Sequence, residues 1–463
     1  MTPTLFTQVV AATGGAAAAS GTGVSASFVW FAATAGALSL LTPCVFPMVP
    51  ITVSYFTQHA GTSRSASVRN AIIFALGIIA TFTALGLALA ILVGATGINQ
   101  FAANPWVNLF ITAIFLGFAF NLLGAYEIQV PPILLNKLDA ATRNGASSGT
   151  VGALLMGLMF TLTSFTCTAP FIGTLLVTAS QGQWQRPLAG MLAYSVIFAL
   201  PFFILAVVPQ WMARLPKSGG WLNSVKVVMG FLEIAAAMKF LSNADLVWKW
   251  NIFTHDVVLA VWVAVMLITT LYLLGKFTLP HDTPSTGSAL SAGRTFASMV
   301  TLGTGIWLAT GLTGRPLGTL ESFLPPPVEG TVANASSSPS SVELVWTKDN
   351  LPAVLTTAKQ SNKRVFIDYT GYTCTNCRWM ESNIFTRPEI KAELNKFALA
   401  RLYTDDGGDL DNQQQAQQQH QFGTVALPLY AIVDADGKTI ATSPGLTRDP
   451  KEFLAFFQKA QSN

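Results

Sequence analysis

Thr42-Pro43-Cys44-Val45-Phe46-Pro47 and Phe165-Thr166-Cys167-Thr168-Ala169-Pro170 decide how this chain is read. Each is a Cys-x-x-Pro inside a long apolar run, and Cys44 stands 123 residues before Cys167. The chain has four cysteines, and the other two form Cys374-Thr375-Asn376-Cys377 in a polar segment. Every cysteine therefore sits in a redox-type setting, two at membrane depth and two outside it.

Composition agrees with a membrane protein. Of 463 residues, 51% are hydrophobic and 10% charged, against about 25% charged in soluble domains. Mean hydropathy is +0.49. A net charge of +4 carries no nucleic-acid inference, and four scattered histidines do not suggest a structural zinc site. Charge is concentrated after about residue 343, whereas 28–313 is mostly apolar, which marks a domain boundary.

Residues 1–27, without Lys or Arg, read as a short tail, with a degenerate or trimmed signal as the alternative. Eight apolar segments follow near 28–56, 68–95, 104–124, 149–178, 187–208, 221–241, 256–276 and 294–313. Each approaches the ~20 residues that span a bilayer. Pro43, Pro47 and Pro50 interrupt the first and Pro170 the fourth. Proline removes a helix hydrogen bond, and in lipid such a break needs protein or a watered cavity around it. Loops after segments one, three, five and seven carry Arg64 and Arg69, Lys137 and Arg143, Arg214 and Lys217, then Lys276 and Arg294. The opposite loops carry none, Arg186, Lys249 and Arg315. Basic loops stay in the cytoplasm, so both termini are expected outside, in the periplasm.

Superposing Cys44 on Cys167 also superposes Pro47 on Pro170. Three segments separate the two copies, an odd number, so the second runs upside down, as in many transporters. Such an inverted repeat would bring Cys44 and Cys167 together near the midplane. Segments seven and eight are additional. Residues 314–342, with Pro325-Pro326-Pro327 and a Ser-rich run, read as a linker.

Residues 343–463 read as a compact α/β domain. Asn350 caps a helix near 351–361. Val365–Tyr369 and Phe397–Tyr403 are strands; helices start at Cys374 and after Pro388. The Gln-rich stretch 411–421 reads as a solvated helix. Leu429–Val433 and Thr439–Thr442 form a hairpin around Asp434-Ala435-Asp436-Gly437, and an amphipathic helix spans about 449–461. A Cys-x-x-Cys at a strand-to-helix junction signals a redox dithiol, with a structural disulfide or a metal-binding pair as alternatives. The helix N-terminus favours thiolate at Cys374, which makes it the attacking or attacked sulfur and Cys377 the resolving one.

With Asp368 six residues before Cys374 and Leu427-Pro428 before a strand, this domain resembles the thioredoxin family. The resemblance puts Pro428 in the place of the family's cis-proline, with Thr375-Asn376 replacing the usual Gly-Pro. Asp368 becomes a plausible proton carrier for Cys377. Glu381, one helical turn after Cys377, is a second, or else a plain solvated carboxylate.

The membrane part resembles the CcdA/DsbD family. The resemblance rests on both Cys-x-x-Pro elements and on Ser224-Val225-Lys226-Val227-Val228-Met229-Gly230-Phe231-Leu232-Glu233. Against full-length DsbD, an N-terminal periplasmic domain is missing. Lys226, Glu233 and Lys239 are charges in or near segment six, either lining a cavity or packing and snorkelling. Lys226 and Glu233 stand about 10.5 Å apart along a helix, too far for a direct bridge.

The expectation is an α-helical membrane protein, with eight helices as an inverted 3+3 repeat plus two, fused to an α/β thioredoxin-like domain. The resemblance implies a bacterial inner-membrane disulfide reductase. Cytoplasmic thioredoxin would donate electrons through Cys44 and Cys167 to Cys374 and Cys377. Periplasmic thiol proteins, such as disulfide isomerases or cytochrome c maturation factors, would receive them. It implies no cofactor and no metal, since thiol–disulfide exchange carries both electrons and protons. The rivals are a quinone-linked disulfide oxidase and a metal transporter with a Cys-x-x-Cys tail.

Overall fold

The computed structural model describes residues 26–40, 42, 45, 64–125, 157–158, 160–161, 164, 185–207, 219–279, 292–315, 317–326 and 344–462. Among the described residues, helices lie at seven of the expected segment positions: α1 (Ala26–Ser39), α2 (Arg64–Ala103), α3 (Pro105–Leu122), α4 (Gln185–Val207), α5 (Gly219–Trp248), α6 (His255–Leu273) and α7 (Ala292–Gly311). Most of segment four lies outside the described residues. Val68–Ala88, Pro105–Leu122 and His255–Leu273 are long and apolar enough to cross a membrane. Segment one does not continue as one helix to residue 56. Helix α1 stops at Ser39, and turn hydrogen bonds follow from Thr42 N–H to Ser39 O (3.1 Å) and Val45 N–H to Thr42 O (3.1 Å). The helix therefore ends before Cys44, where Pro43 disfavours helical geometry at its predecessor.

The chain divides into two compact units. The first comprises 1–94, 114–234 and 272–292; the second comprises 95–113, 235–271 and 293–463. In the first, Gly36 on α1 faces the Tyr194 carbonyl of α4, leaving no room for a side chain. Phe82, Tyr194 and Phe198 join α2 and α4 by ring contacts of 5.1–6.0 Å. Small residues and aromatic edges of this kind let helices associate without a hydrophobic driving force.

In the second unit, Trp106, Trp248 and Trp250 touch ring to ring at 5.4 and 4.7 Å, the sort of aromatic cluster found at membrane interfaces. Helix α5 has 30 residues, about 45 Å, more than the ~30 Å hydrocarbon core. Asp245 near its end accepts the Ile252 and Phe253 N–H groups (3.3 and 2.9 Å), closing the turn into α6. After α7 the chain makes a 3-10 turn, Gly318–Phe323. Leu317 and Leu324, on either side of it, bury against Val258, Leu259 and Leu308. Glu321 takes a hydrogen bond from His255 (2.9 Å) and from the Leu317 N–H (3.2 Å). The His255 bond holds its carboxyl below the usual range, against the upward push of burial.

The C-terminal domain holds β1 (Trp346–Lys348), α8 (Leu351–Ser361), β2 (Val365–Thr370), α9 (Thr375–Asn383), α10 (Pro388–Leu394), β3 (Ala398–Tyr403), α11 (Asp409–Phe422), β4 (Leu429–Val433), β5 (Thr439–Pro444) and α12 (Pro450–Ser462). The sheet order is β1-β3-β2-β4-β5. Strands β1, β3 and β2 run parallel, while β4 and β5 run antiparallel to their neighbours. Central β2 is buried along its length, as a strand covered on both faces requires, with Asp368 the one charge in its apolar run.

Alternation sorts β2 between two cores. Phe366 points to α9, α10 and α12, among Met380, Ile390, Phe453 and Phe457. Val365, Ile367 and Tyr369 point to α8 with Leu351 and Val354. Asp368 shares the Phe366 parity, so β2 aims it toward the face carrying the Cys-x-x-Cys helix.

Two local expectations match the structure closely. Asn350 Oδ1 accepts the Ala353 N–H (3.2 Å) and caps α8. Asp434 Oδ1 accepts the Asp436 and Lys438 N–H groups (2.9 and 2.8 Å) at the β4–β5 hairpin. The Gln-rich helix is not simply solvated: Gln414, Gln415 and Gln418 are buried. Gln415 donates to Thr404 O (3.2 Å) and Gln418 to Ala426 O (3.1 Å). Their amides satisfy loop carbonyls that burial would otherwise leave unpaired.

Candidate active site

Strand β2 ends at Thr370 and α9 begins at Thr375, so the Cys-x-x-Cys pair stands at the strand-to-helix junction. Cys374 is the N-cap of α9, and its Sγ accepts the Cys377 N–H at 3.2 Å. The two cysteines are joined as a disulfide with Cα atoms 5.3 Å apart. Cys374 is half-buried and Cys377 fully buried. An incoming thiolate therefore reaches Cys374 first.

The loop before Cys374 is clamped from below. Buried Asp405 accepts the Tyr372 N–H (2.8 Å), the Thr373 N–H (3.2 Å) and the Thr373 hydroxyl (3.3 Å). Burial pushes its carboxyl up to about 6, and these hydrogen bonds oppose the rise. A side chain at Gly371 would collide with Asp405, so this close approach requires glycine.

A buried ionic cluster joins α9 to β2 and β3. Asp368 is fully buried and pairs with Arg401 Nε at 3.0 Å. Register sets this pair, because Asp368 lies opposite Arg401 on parallel β3. Glu381 pairs with Arg378 at 2.9 Å and with Arg401 at 3.6 Å. Glu381 is thus a mostly buried member of the cluster, not a solvated helix carboxylate. Arg378 also donates to the Thr370 hydroxyl (3.1 Å) and the Gly371 carbonyl (3.4 Å), tying α9 to the end of β2. Burial pushes Asp368 up to about 6, Arg401 opposes the rise, and Glu381 adds to it. A carboxyl at that value can take and return a proton near neutral pH.

The linkage follows from the sign of that shift. A raised carboxyl value stabilises the fold fully below the unfolded value near 4 and loses that contribution as pH rises through about 6. Asp368→Asn should therefore increase hydrogen-exchange protection of the β2 and β4 amides in the full-length oxidised protein at pH 7.5. The gain should reach about 3 kcal/mol at most and vanish near pH 4. Equal protection at pH 7.5 would mean that the ionised carboxylate costs the fold nothing. Disulfide exchange should slow in the same variant, since Asn carries no proton.

Pro428 follows a cis Leu427-Pro428 peptide bond, and Leu427 lies beside Gly371 in front of the cysteines. Cys44, Cys167, Pro47 and Pro170 lie outside the described residues. In α5, Glu233 is fully buried and Lys226 half-buried. Lys239 is half-buried. Arg378, Arg401 and Asp405 escape a reading by sequence spacing. A charge inside the apolar run Phe397–Tyr403 is the one available signal, since buried Arg demands partners.

Residues 23–244 match the family model described as cytochrome C biogenesis protein transmembrane domain, and residues 351–461 match a thioredoxin-like domain. The chain is 26% identical over 373 residues to thiol:disulfide interchange protein DsbD 2 of Pseudomonas aeruginosa, covering 79% of this chain and 60% of that one. It is 27% identical over 414 residues to thiol:disulfide interchange protein DsbD of Vibrio vulnificus, covering 87% and 62%. To the DsbD of Ralstonia nicotianae it is 25% identical over 386 residues, covering 81% and 59%. The chain thus spans about three fifths of the length of these curated relatives.

Proposed function

We propose that this chain, which joins a cytochrome c biogenesis transmembrane domain to a thioredoxin-like domain in the DsbD manner, is a protein-disulfide reductase that carries electrons across the inner membrane. The observation that carries the reading is an oxidised Cys374–Cys377 pair at a helix N-terminus, in one compact unit with the ends of membrane helices.

The steps balance as two-electron exchanges. Reduced thioredoxin in the cytoplasm attacks a Cys44–Cys167 disulfide and leaves oxidised, having given two electrons and two protons. One membrane thiolate then attacks Cys374 Sγ. A mixed disulfide forms and Cys377 leaves as thiolate, taking a proton from the Asp368 side. The second membrane cysteine closes the Cys44–Cys167 bond and releases Cys374. The reduced pair passes its electrons to periplasmic thiol proteins, among them disulfide isomerases or cytochrome c maturation factors. Pro47 and Pro170, each three residues after its cysteine, oppose regular helix around the sulfurs, so that these can be approached from each face in turn.

Positive loops after odd segments support a periplasmic C-terminal domain. Gln100, Lys249 and residues 317–324, which follow segments two, six and eight, belong to the compact unit of the C-terminal domain, whereas Gln185 and Arg186, after segment four, belong to the other. The test is alkylation of Cys374 and Cys377 in cells. Removal of cytoplasmic thioredoxin should turn a mostly reduced pair into a fully oxidised one. A pair that stays reduced without thioredoxin would point to another donor.

A further inference from the structure

Two helix ends of the membrane portion and the turn that follows α7 touch the thioredoxin-like domain, on α11, at Tyr372 and on α9. From the end of α2, Gln100 Nε2 donates to Asn412 Oδ1 (2.8 Å) and Gln415 Oε1 (3.2 Å) on α11. From the end of α5, the Lys249 ammonium lies 5.8 Å from the ring centre of Tyr372. Tyr372 stands two residues before Cys374 and stacks on Tyr403 at 4.1 Å. The 3-10 turn Gly318–Phe323 lies against α9, the helix that Cys374 caps.

The platform is firm where it meets the membrane helices. His255 bonds Glu321 at 2.9 Å, and Leu317 and Leu324 are buried against α6 and α7. It meets the thioredoxin-like domain through the turn's packing on α9 and through two polar contacts, the Gln100 amide pair and the Lys249 ammonium over Tyr372. The polar contacts each contribute about 1 kcal/mol or less.

We propose that Gln100, Lys249 and the Gly318–Phe323 turn form a docking seat for the Tyr372, α9 and α11 face of the thioredoxin-like domain, occupied while Cys374 takes electrons from the membrane cysteines. The proposal rests on the transmembrane-reductase reading. It adds that the seat covers the helix a periplasmic acceptor must approach, so docking and delivery exclude each other. The domain must leave the seat between receiving a pair of electrons and handing it on.

The experiment uses the full-length protein in proteoliposomes with thioredoxin and its reducing system on the face opposite the C-terminal domain. The double variant Gln100→Ala/Lys249→Ala should reduce Cys374–Cys377 about tenfold more slowly than wild type. Cys44 and Cys167 should accumulate as thiols, because their outlet is weakened. Direct reduction of Cys374–Cys377 by dithiothreitol should proceed at the wild-type rate, which separates a lost seat from a damaged domain. Lys249→Arg keeps a cation over the ring and should match wild type, and Glu321→Gln, which loosens the turn, should slow transfer.

If the double variant transfers within about twofold of wild type, there is no such seat. The seat is equally overturned if Lys249→Arg is as slow as Lys249→Ala, or if the dithiothreitol rate falls in step with transfer. If wild type itself gains no electrons from thioredoxin across the membrane, the reductase reading fails and the seat with it.

Discussion

Replacing either membrane cysteine, Cys44→Ser or Cys167→Ser, should leave the Cys374–Cys377 pair oxidised in living cells. The reduced fraction should fall on the order of a hundredfold or more, because the two sulfurs act as a unit. A lone thiol carries no disulfide for reduced thioredoxin to attack, so it cannot accept the electron pair. Two-electron transfer then stops, and no other residue substitutes. The single variants and the double variant should be equally inactive, as expected of one shared disulfide. Alkylation mass shifts on Cys374 and Cys377 read the outcome. A pair still reduced in Cys167→Ser at normal expression would take the membrane disulfide out of the mechanism.

The second large effect separates the two cysteines of the thioredoxin-like domain. Cys374 is the half-buried N-cap of α9 and Cys377 is buried behind it. In Cys377→Ser, Cys374 can attack or be attacked but cannot resolve, so mixed disulfides should accumulate with periplasmic partners and with a membrane cysteine. In Cys374→Ser those adducts should be absent, because the remaining thiol is shielded. Transfer should be lost in both variants, again by on the order of a hundredfold or more. Non-reducing electrophoresis followed by mass spectrometry reads the adducts and identifies the acceptors. Equal trapping by Cys374→Ser would contradict the assigned order of attack.

What was legible in the sequence depended on how local its cause was. The apolar run Val365–Tyr369 had to be a doubly covered strand, and it is. Asn350 before α8 and Asp434 to Gly437 in the hairpin act within four residues, so their hydrogen bonds could be read directly. The Gln-rich helix was located, but its burial was not. An amide that bonds a loop carbonyl such as Thr404 or Ala426 leaves no hydrophobic trace in the sequence.

Long-range pairing was the larger loss. Glu381 could be read as a proton carrier or a solvated carboxylate, because one partner, Arg401, stands 20 residues on, held opposite Asp368 by the parallel register of β2 and β3. Asp405 reaches the loop before Cys374 by the same route, from just beyond the end of β3. Helix α2 runs to Ala103, past the apolar stretch ending near 95, since backbone hydrogen bonds continue a helix after hydropathy has ended. That extension carries Gln100 to the thioredoxin-like domain.

The central claim is that electrons cross the membrane through this one chain. The most direct measurement is made on full-length protein in sealed vesicles, with Cys374 and Cys377 facing outward and reduced thioredoxin confined to the lumen. Alkylation from outside follows the pair over time. The account predicts two new thiols on the outward domain for each thioredoxin oxidised inside, and none in Cys44→Ser vesicles. Outward thiols that appear only when thioredoxin is added outside, or that appear equally in Cys44→Ser vesicles, would contradict it.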